Sequence, residues 1–115
     1  MVMPMPDLYR KKPVVIEATQ WDGTAEGATP IIDWILSGDG IAGWRDRHVQ
    51  GITPYRPDDI NEIVTPAHIW IRTLEGEMRA YPNDWLIRGV IGEFYPVKPA
   101  IFAETYEPVQ AHTSS

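Results

Sequence analysis

Ile71-Arg72-Thr73-Leu74-Glu75-Gly76-Glu77-Met78 returns sixteen residues later as Ile87-Arg88-Gly89-Val90-Ile91-Gly92-Glu93-Phe94. Each copy joins an apolar–basic strand end to a Gly turn, then to Glu and an apolar residue that open a return strand. Two runs joined this way make a β-hairpin. Between the copies, Tyr81-Pro82-Asn83-Asp84-Trp85 supplies a different turn. Pro fixes φ at the first central position, and Asn accepts the positive φ that a type II turn needs at the next. The stretch from Ile69 to Pro96 therefore predicts a β-meander of about four antiparallel strands, with an Arg and a Glu at the same place in each hairpin.

What surrounds the repeat must complete one domain, since 115 residues support a single modest core without staples. Eleven Pro and nine Gly mean many turns, which suits a β-rich fold. Thr29 as N-cap and Pro30 at the first helical position open a helix. Its apolar stripe runs Ile31, Ile32, Trp34, Ile35 and Leu36 and stops at Ser37-Gly38-Asp39-Gly40. Trp34 at helical spacing is expected in the core. Ahead of it, the β-branched run from Val14 to Trp21 predicts a strand well inside the sheet, because its first half is continuously apolar. Ile41 to Val49 predicts a short strand, and Gln50 to Thr65 an irregular loop that lines or covers a site.

On Ile69 to Thr73, Ile69, Ile71 and Thr73 share one face while His68, Trp70 and Arg72 share the other. Lys98 to Glu104 predicts a short helical turn, and Thr105 to Pro108 a closing strand. The fold class is α+β: a twisted antiparallel sheet, built as a β-meander of two repeated hairpins, with one main helix packed on it. Residues 1–8 are expected to be a disordered leader, 9–109 the domain, and 110–115 a flexible tail.

Composition removes several function classes. Without Cys there is no thiol nucleophile, thiolate metal site or disulfide. A net charge of −6 argues against broad nucleic-acid binding, which neutralises phosphates, although one local basic pocket for a small anion remains compatible with it. No apolar run approaches the roughly 20 residues of a membrane helix, and the first residues lack a signal-peptide core. A cytoplasmic protein follows.

Tyr9-Arg10-Lys11-Lys12-Pro13-Val14-Val15-Ile16-Glu17-Ala18, Trp21, the two hairpins, and Lys98-Pro99-x-Ile101-Phe102-x-x-Thr105-Tyr106-Glu107-Pro108 together resemble a widespread family of small phage and prophage proteins. That family is related to domains named for a Pro-Gly-Asp-Tyr-Gly motif. The resemblance spans most of the chain and is weakest from Ile41 to Thr65. It implies a phage origin and an accessory role rather than a reaction. Where the family usually carries Pro-Gly-Asp-Trp, this chain has Pro82-Asn83-Asp84-Trp85; Asn takes the same backbone conformation, so the turn is kept.

The chemistry-bearing residues are few. No Gly-x-Ser-x-Gly is present, and His48, His68 and His112 lack metal-ligand spacing. Asp58, Asp59 and Glu62 resemble a solvated loop face more than a cation site. Glu77 and Glu93, equivalent in the repeat, form a carboxylate pair on paper. Just after Gly turns, such residues more commonly satisfy strand-end amides or pair with Arg. No catalytic residue, metal or cofactor is assigned. An enzyme acting on nucleotides or glycans, including a small hydrolase, ranks last among the readings.

One constellation stands out: Trp70, Arg72, Tyr81, Trp85, Arg88, Tyr95 and Lys98. Arg forks hold phosphate or carboxylate, and flat aromatics stack on bases. These residues predict a non-catalytic module for a small anionic or nucleotide-like ligand, such as a host defence signal. Cross-strand pairing of Arg72 or Arg88 with Glu77 or Glu93 is the competing use of the same arginines. The alternative function is a protein–protein interaction module acting on a host or virion protein through exposed aromatics. Exposed sheet edges further predict a homodimer or higher homo-oligomer.

Overall fold

The computed structural model describes residues 5–50 and 63–109. Most of the irregular 50–65 segment, with Asp58, Asp59 and Glu62, lies outside the described residues, as do Met1 to Pro4, His112 and the 110–115 tail. In order, the elements are β1 (Glu17–Gln20), α1 (Ala25–Ser37), β2 (Ala42–Arg45), β3 (His48–Gln50), β4 (Ile63–Thr65), β5 (His68–Thr73), β6 (Gly76–Ala80), β7 (Trp85–Arg88), β8 (Phe94–Val97) and α2 (Pro99–Thr105). The class is α+β, with all strand pairs antiparallel.

Both copies of the repeat fold as hairpins. In β5–β6, Thr73 sits opposite Gly76, whose φ of 110° a side chain would oppose. The Thr73 hydroxyl accepts from the Glu75 amide at 3.1 Å and donates to the Gly76 carbonyl at 2.7 Å. In β7–β8 the equivalent Gly92 also has positive φ, at 84°. Here the turn is longer and the register shifts, so Arg88 faces Phe94 rather than Glu93.

The hairpins enter different sheets, ordered β1-β7-β8 and β2-β5-β6, while β3 and β4 form a third ladder. The turn between them explains the split. Asn83 sits at φ 74°, and the Asp84 carboxylate accepts the Tyr81 amide at 2.8 Å. This turn docks on the end of β1: the Trp21 amide donates to the Asp84 carbonyl at 3.0 Å, and the Asn83 amide donates to the Trp21 carbonyl at 2.8 Å. β7 is thereby delivered to β1 instead of β6.

Three local expectations are corrected. The first strand is not an interior one: β1 starts at Glu17, holds the edge of its sheet, and leaves Val14 and Val15 exposed. A continuous apolar run reads as buried by periodicity alone, but its anchor here is Trp21, fully buried just past the strand. The helix begins at Ala25 rather than Pro30. Asp22 Oδ1 fixes Thr24 by accepting its amide at 2.9 Å and its hydroxyl at 2.7 Å; Thr24 Oγ1 then caps α1 from the Gly27 amide at 2.8 Å. That cap outcompetes Thr29, and Pro30 rides inside the helix. Finally, Thr105 to Pro108 forms no strand: Thr105 ends α2, and Tyr106 to Pro108 continue without regular structure.

The main core gathers Trp21, Ala28, Ile31 and Ile35 with Ala42, Ile69, Ile71, Ala80, Leu86 and Phe94, and Trp34 packs against it. Leu86 and Ile87 are both fully buried although they point to opposite faces of β7. A strand covered on both sides needs a second layer, which α2 contributes: Phe102 stacks on Trp85 at 3.9 Å, nearly parallel.

Candidate functional site

The seven residues singled out by sequence fall into separate neighbourhoods. On the outer face of β2-β5-β6, Trp70 is half-buried, with the Arg45 guanidinium 5.5 Å from its ring centre. Arg79 stands opposite Trp70, and Arg72 lies two residues along on the same face, opposite Glu77. Arg45, Arg72 and Arg79 are all exposed. Glu77 pairs with Arg45 at 2.9 Å, so although Arg72 faces Glu77 across the ladder, the salt-bridge partner of Glu77 is neither of the two arginines expected. Arg45 and Arg79 are members of this patch that the sequence reading missed; β2's register beside β5 brings Arg45 in.

Tyr81, Asp84 and Lys98 form a second group. Lys98 Nζ donates to Asp84 Oδ2 at 2.8 Å and lies 5.1 Å from the Tyr81 ring centre. Behind them is buried His68, whose Nδ1 lies 2.9 Å from the Pro66 carbonyl. A carbonyl only accepts, so Nδ1 is the donor, and the buried Nε2 has no hydrogen-bond partner among the described residues.

Trp85 and Tyr95 lie under α2. The Tyr95 and Tyr106 hydroxyls are 3.3 Å apart, and burial, helped by that hydrogen bond, pushes the Tyr95 phenol well above its usual range. The Tyr95 phenol therefore stays neutral. Arg88 reaches Glu17 at 3.6 Å and lies 5.7 Å from the Phe94 ring centre. Glu93 is consumed locally, its Oε2 accepting the Ile91 amide at 3.3 Å. The two repeat-equivalent glutamates thus serve a turn and an ion pair. Among the described residues, no group of three or more His, Asp or Glu lies together as a metal site, and no helix is long and apolar enough to cross a membrane.

An open groove lies elsewhere. A groove of about 530 Å³ runs between β1 and α1, within the usual size of ligand sites. All four residues of β1 line one wall. Successive strand residues point to opposite faces, so four in a row place the groove along the strand's edge. Gly27, Pro30, Ile31 and Trp34 make the other wall. No strand among the described residues pairs with this edge. Trp21 turns its amide and carbonyl toward the β7 side. Alternation along the ladder then puts Thr19 and Glu17 in the inward set and leaves the N–H and C=O groups of Ala18 and Gln20 facing the groove.

The groove is acidic. Glu17 lies at one end and Asp22 at the other. The Thr24 amide, and then its hydroxyl, hold the Asp22 carboxyl below its ordinary range, so it is anionic at neutral pH. Glu17 is 63% exposed and its contact with Arg88 is long, so the pair is too solvated to neutralise it. None of the groove residues was singled out from sequence. Which edge of β1 stays open depends on the long-range pairing with β7. The one available signal was the unbroken apolar run Val14 to Ile16, too apolar for the solvated lead-in that precedes it.

No family model, curated protein or solved structure matches the chain.

Proposed function

We propose that the chain is a non-catalytic interaction module that takes an extended polypeptide segment as an added strand along β1, with α1 as the opposite wall. The observation that carries this reading is the coincidence of an unpaired strand edge with a concave groove. Main-chain groups at an open edge supply hydrogen bonds to any extended chain, and the flanking wall selects its side chains. The wall chemistry here is apolar (Pro30, Ile31, Trp34) between two carboxylates. It fits a segment alternating β-branched or aromatic residues with Lys or Arg. In the phage setting that the sequence resemblance implies, a host or virion protein carrying such a segment would meet the groove in the host cytoplasm.

Short fluorescent peptides alternating Lys and Val are expected to bind, and matched Glu–Val peptides are not. Pro30→Arg, an exposed change on the groove wall, is expected to weaken the basic peptide about tenfold through repulsion at the centre of the site. Hydrogen exchange at the Ala18 and Gln20 amides should slow on binding. Equal binding of acidic peptides, or unchanged exchange at those two amides, would defeat the reading.

A second reading is favoured by one observation: three exposed arginines, Arg45, Arg72 and Arg79, surround Trp70 on one face of an acidic protein. That face suits a small anionic, nucleotide-like ligand, with the indole as stacking platform. A nucleotide at a hundredfold its Kd would add about 2.7 kcal/mol to stability, read as a rise in Tm that Arg72→Ala and Arg79→Ala abolish. A flat response across nucleotides and cyclic nucleotides excludes it.

A further inference from the structure

The segment before β1 has the chemistry that the groove selects. Tyr9-Arg10-Lys11-Lys12-Pro13-Val14-Val15-Ile16 runs directly into the strand and carries no regular secondary structure. Tyr9 is 90% exposed and Val15 75%, while Ile16 is half-buried and Lys11 Nζ lies 5.0 Å from the Tyr106 ring centre. A chain cannot fold back on β1 without a turn between the arm and the strand it already joins. The same arm on a second molecule meets no such obstacle.

We propose that the partner seated on the β1 edge is a second copy of this chain, the two pairing antiparallel about a two-fold axis through residues 9–20. The inference rests on the strand-addition reading of the groove. Three features of the sequence fit it independently. In a two-fold antiparallel pair, the axis must pass between a residue and its own copy. Centred on Val14, it sets Lys11 opposite Glu17 of the other molecule, and the symmetry makes this contact twice. Neither Arg10 nor Lys12 can face Glu17 in any two-fold register, because moving the axis by one residue moves the partner by two.

The second feature is Pro13. Extended as a strand in the pair, even-numbered residues of this segment would turn their amides to the open edge, following Ala18 and Gln20. Pro13 falls in the inward set, so its missing N–H removes no bond of the new ladder. The third is the face. Side chains directly opposite share a face, and Glu17 and Thr19 share theirs with core-facing Trp21 on the α1 side. Tyr9 of the copy, opposite Thr19, would therefore enter between β1 and α1 beside Trp34, while Lys11 meets Glu17. An exposed aromatic gains an apolar wall, and an exposed Lys gains a carboxylate, at the close spacing of a non-hydrogen-bonded pair.

Sedimentation velocity of the full chain across micromolar concentrations tests this, with Lys11→Glu, Glu17→Lys and an equimolar mixture of the two. Both positions are exposed, so the single variants should fold like the parent by circular dichroism. The parent is expected to dimerise. Each variant alone places two like-charge pairs across the axis and should raise the dimer dissociation constant about tenfold or more. In the mixture every cross-axis pair is Glu with Lys, and a heterodimer should return at parental affinity. A parent that stays monomeric, or a dimer insensitive to both charges, overturns the proposal. The peptide measurement separates the two levels. Basic peptide binding to a monomeric parent defeats self-pairing alone, whereas loss of both dimer and peptide binding defeats the groove reading as well.

Discussion

Trp21→Ala is expected to lower stability by about 4 kcal/mol, the range for removing a buried large aromatic from a packed core. For a domain near this size that corresponds to a fall in Tm of roughly 15–25 °C by circular dichroism. The indole is fully buried, meets Trp44 edge-on at 5.7 Å, and donates from Nε1 to the Thr24 carbonyl at 2.8 Å. The substitution empties the centre of the core and removes the indole donor to the Thr24 carbonyl at the mouth of α1. Trp21→Phe keeps most of the volume and loses the hydrogen bond, so it should fall between the two. A Trp21→Ala protein within about 1 kcal/mol of the parent would mean that α1 and β1 are not joined through this residue.

The next largest effect is expected at Asp84. Its carboxylate is 3% exposed and accepts both the Tyr81 amide and Lys98 Nζ at 2.8 Å. Lys98 is 58% exposed, so its ammonium rehydrates when the partner is lost and the ion pair itself contributes little. The larger loss is the turn amide, left without its acceptor in the docking point between β1 and β7. Asp84→Ala should cost about 2–3 kcal/mol, the range for a hydrogen bond to a charged group. Asp84→Asn keeps an oxygen for Tyr81 and should cost under about 1 kcal/mol. Chemical denaturation of both variants decides the matter. Equal losses would show that charge, rather than the turn bond, holds the site.

What could be read in advance was local. The repeat announced both hairpins, since a Gly turn between an apolar–basic end and a Glu–apolar start is written in consecutive residues. Asn83 announced its positive φ for the same reason. The Ile69/Ile71 face was legible through its period, and both residues are fully buried. Misreadings arose where two local signals competed, as at α1, where Thr29-Pro30 and Thr24 both offer an N-cap and only the Asp22 side chain selects the earlier one. The candidate site was less legible because it is a property of pairing. Arg72 and Trp70 were recognisable on one strand, but Arg45 and Arg79 join them through register on two others. The open edge of β1 exists only because β7 arrives from far along the chain, and near Glu17 only the apolar run Val14 to Ile16 hints at it.

The docking of β1 on β7 carries a further consequence, for the order of assembly. Each hairpin closes over a handful of residues, whereas this seam joins β1 to β7 across α1 and the whole β5–β6 hairpin. Its closure entropy is the greatest of any strand pairing among the described residues, and contacts of long sequence separation slow folding. The seam is the slow step of the topology, and the groove is its product. Until the chain's first strand has found its seventh, there is no such edge, so under the strand-addition proposal only molecules that have completed the fold could take a partner.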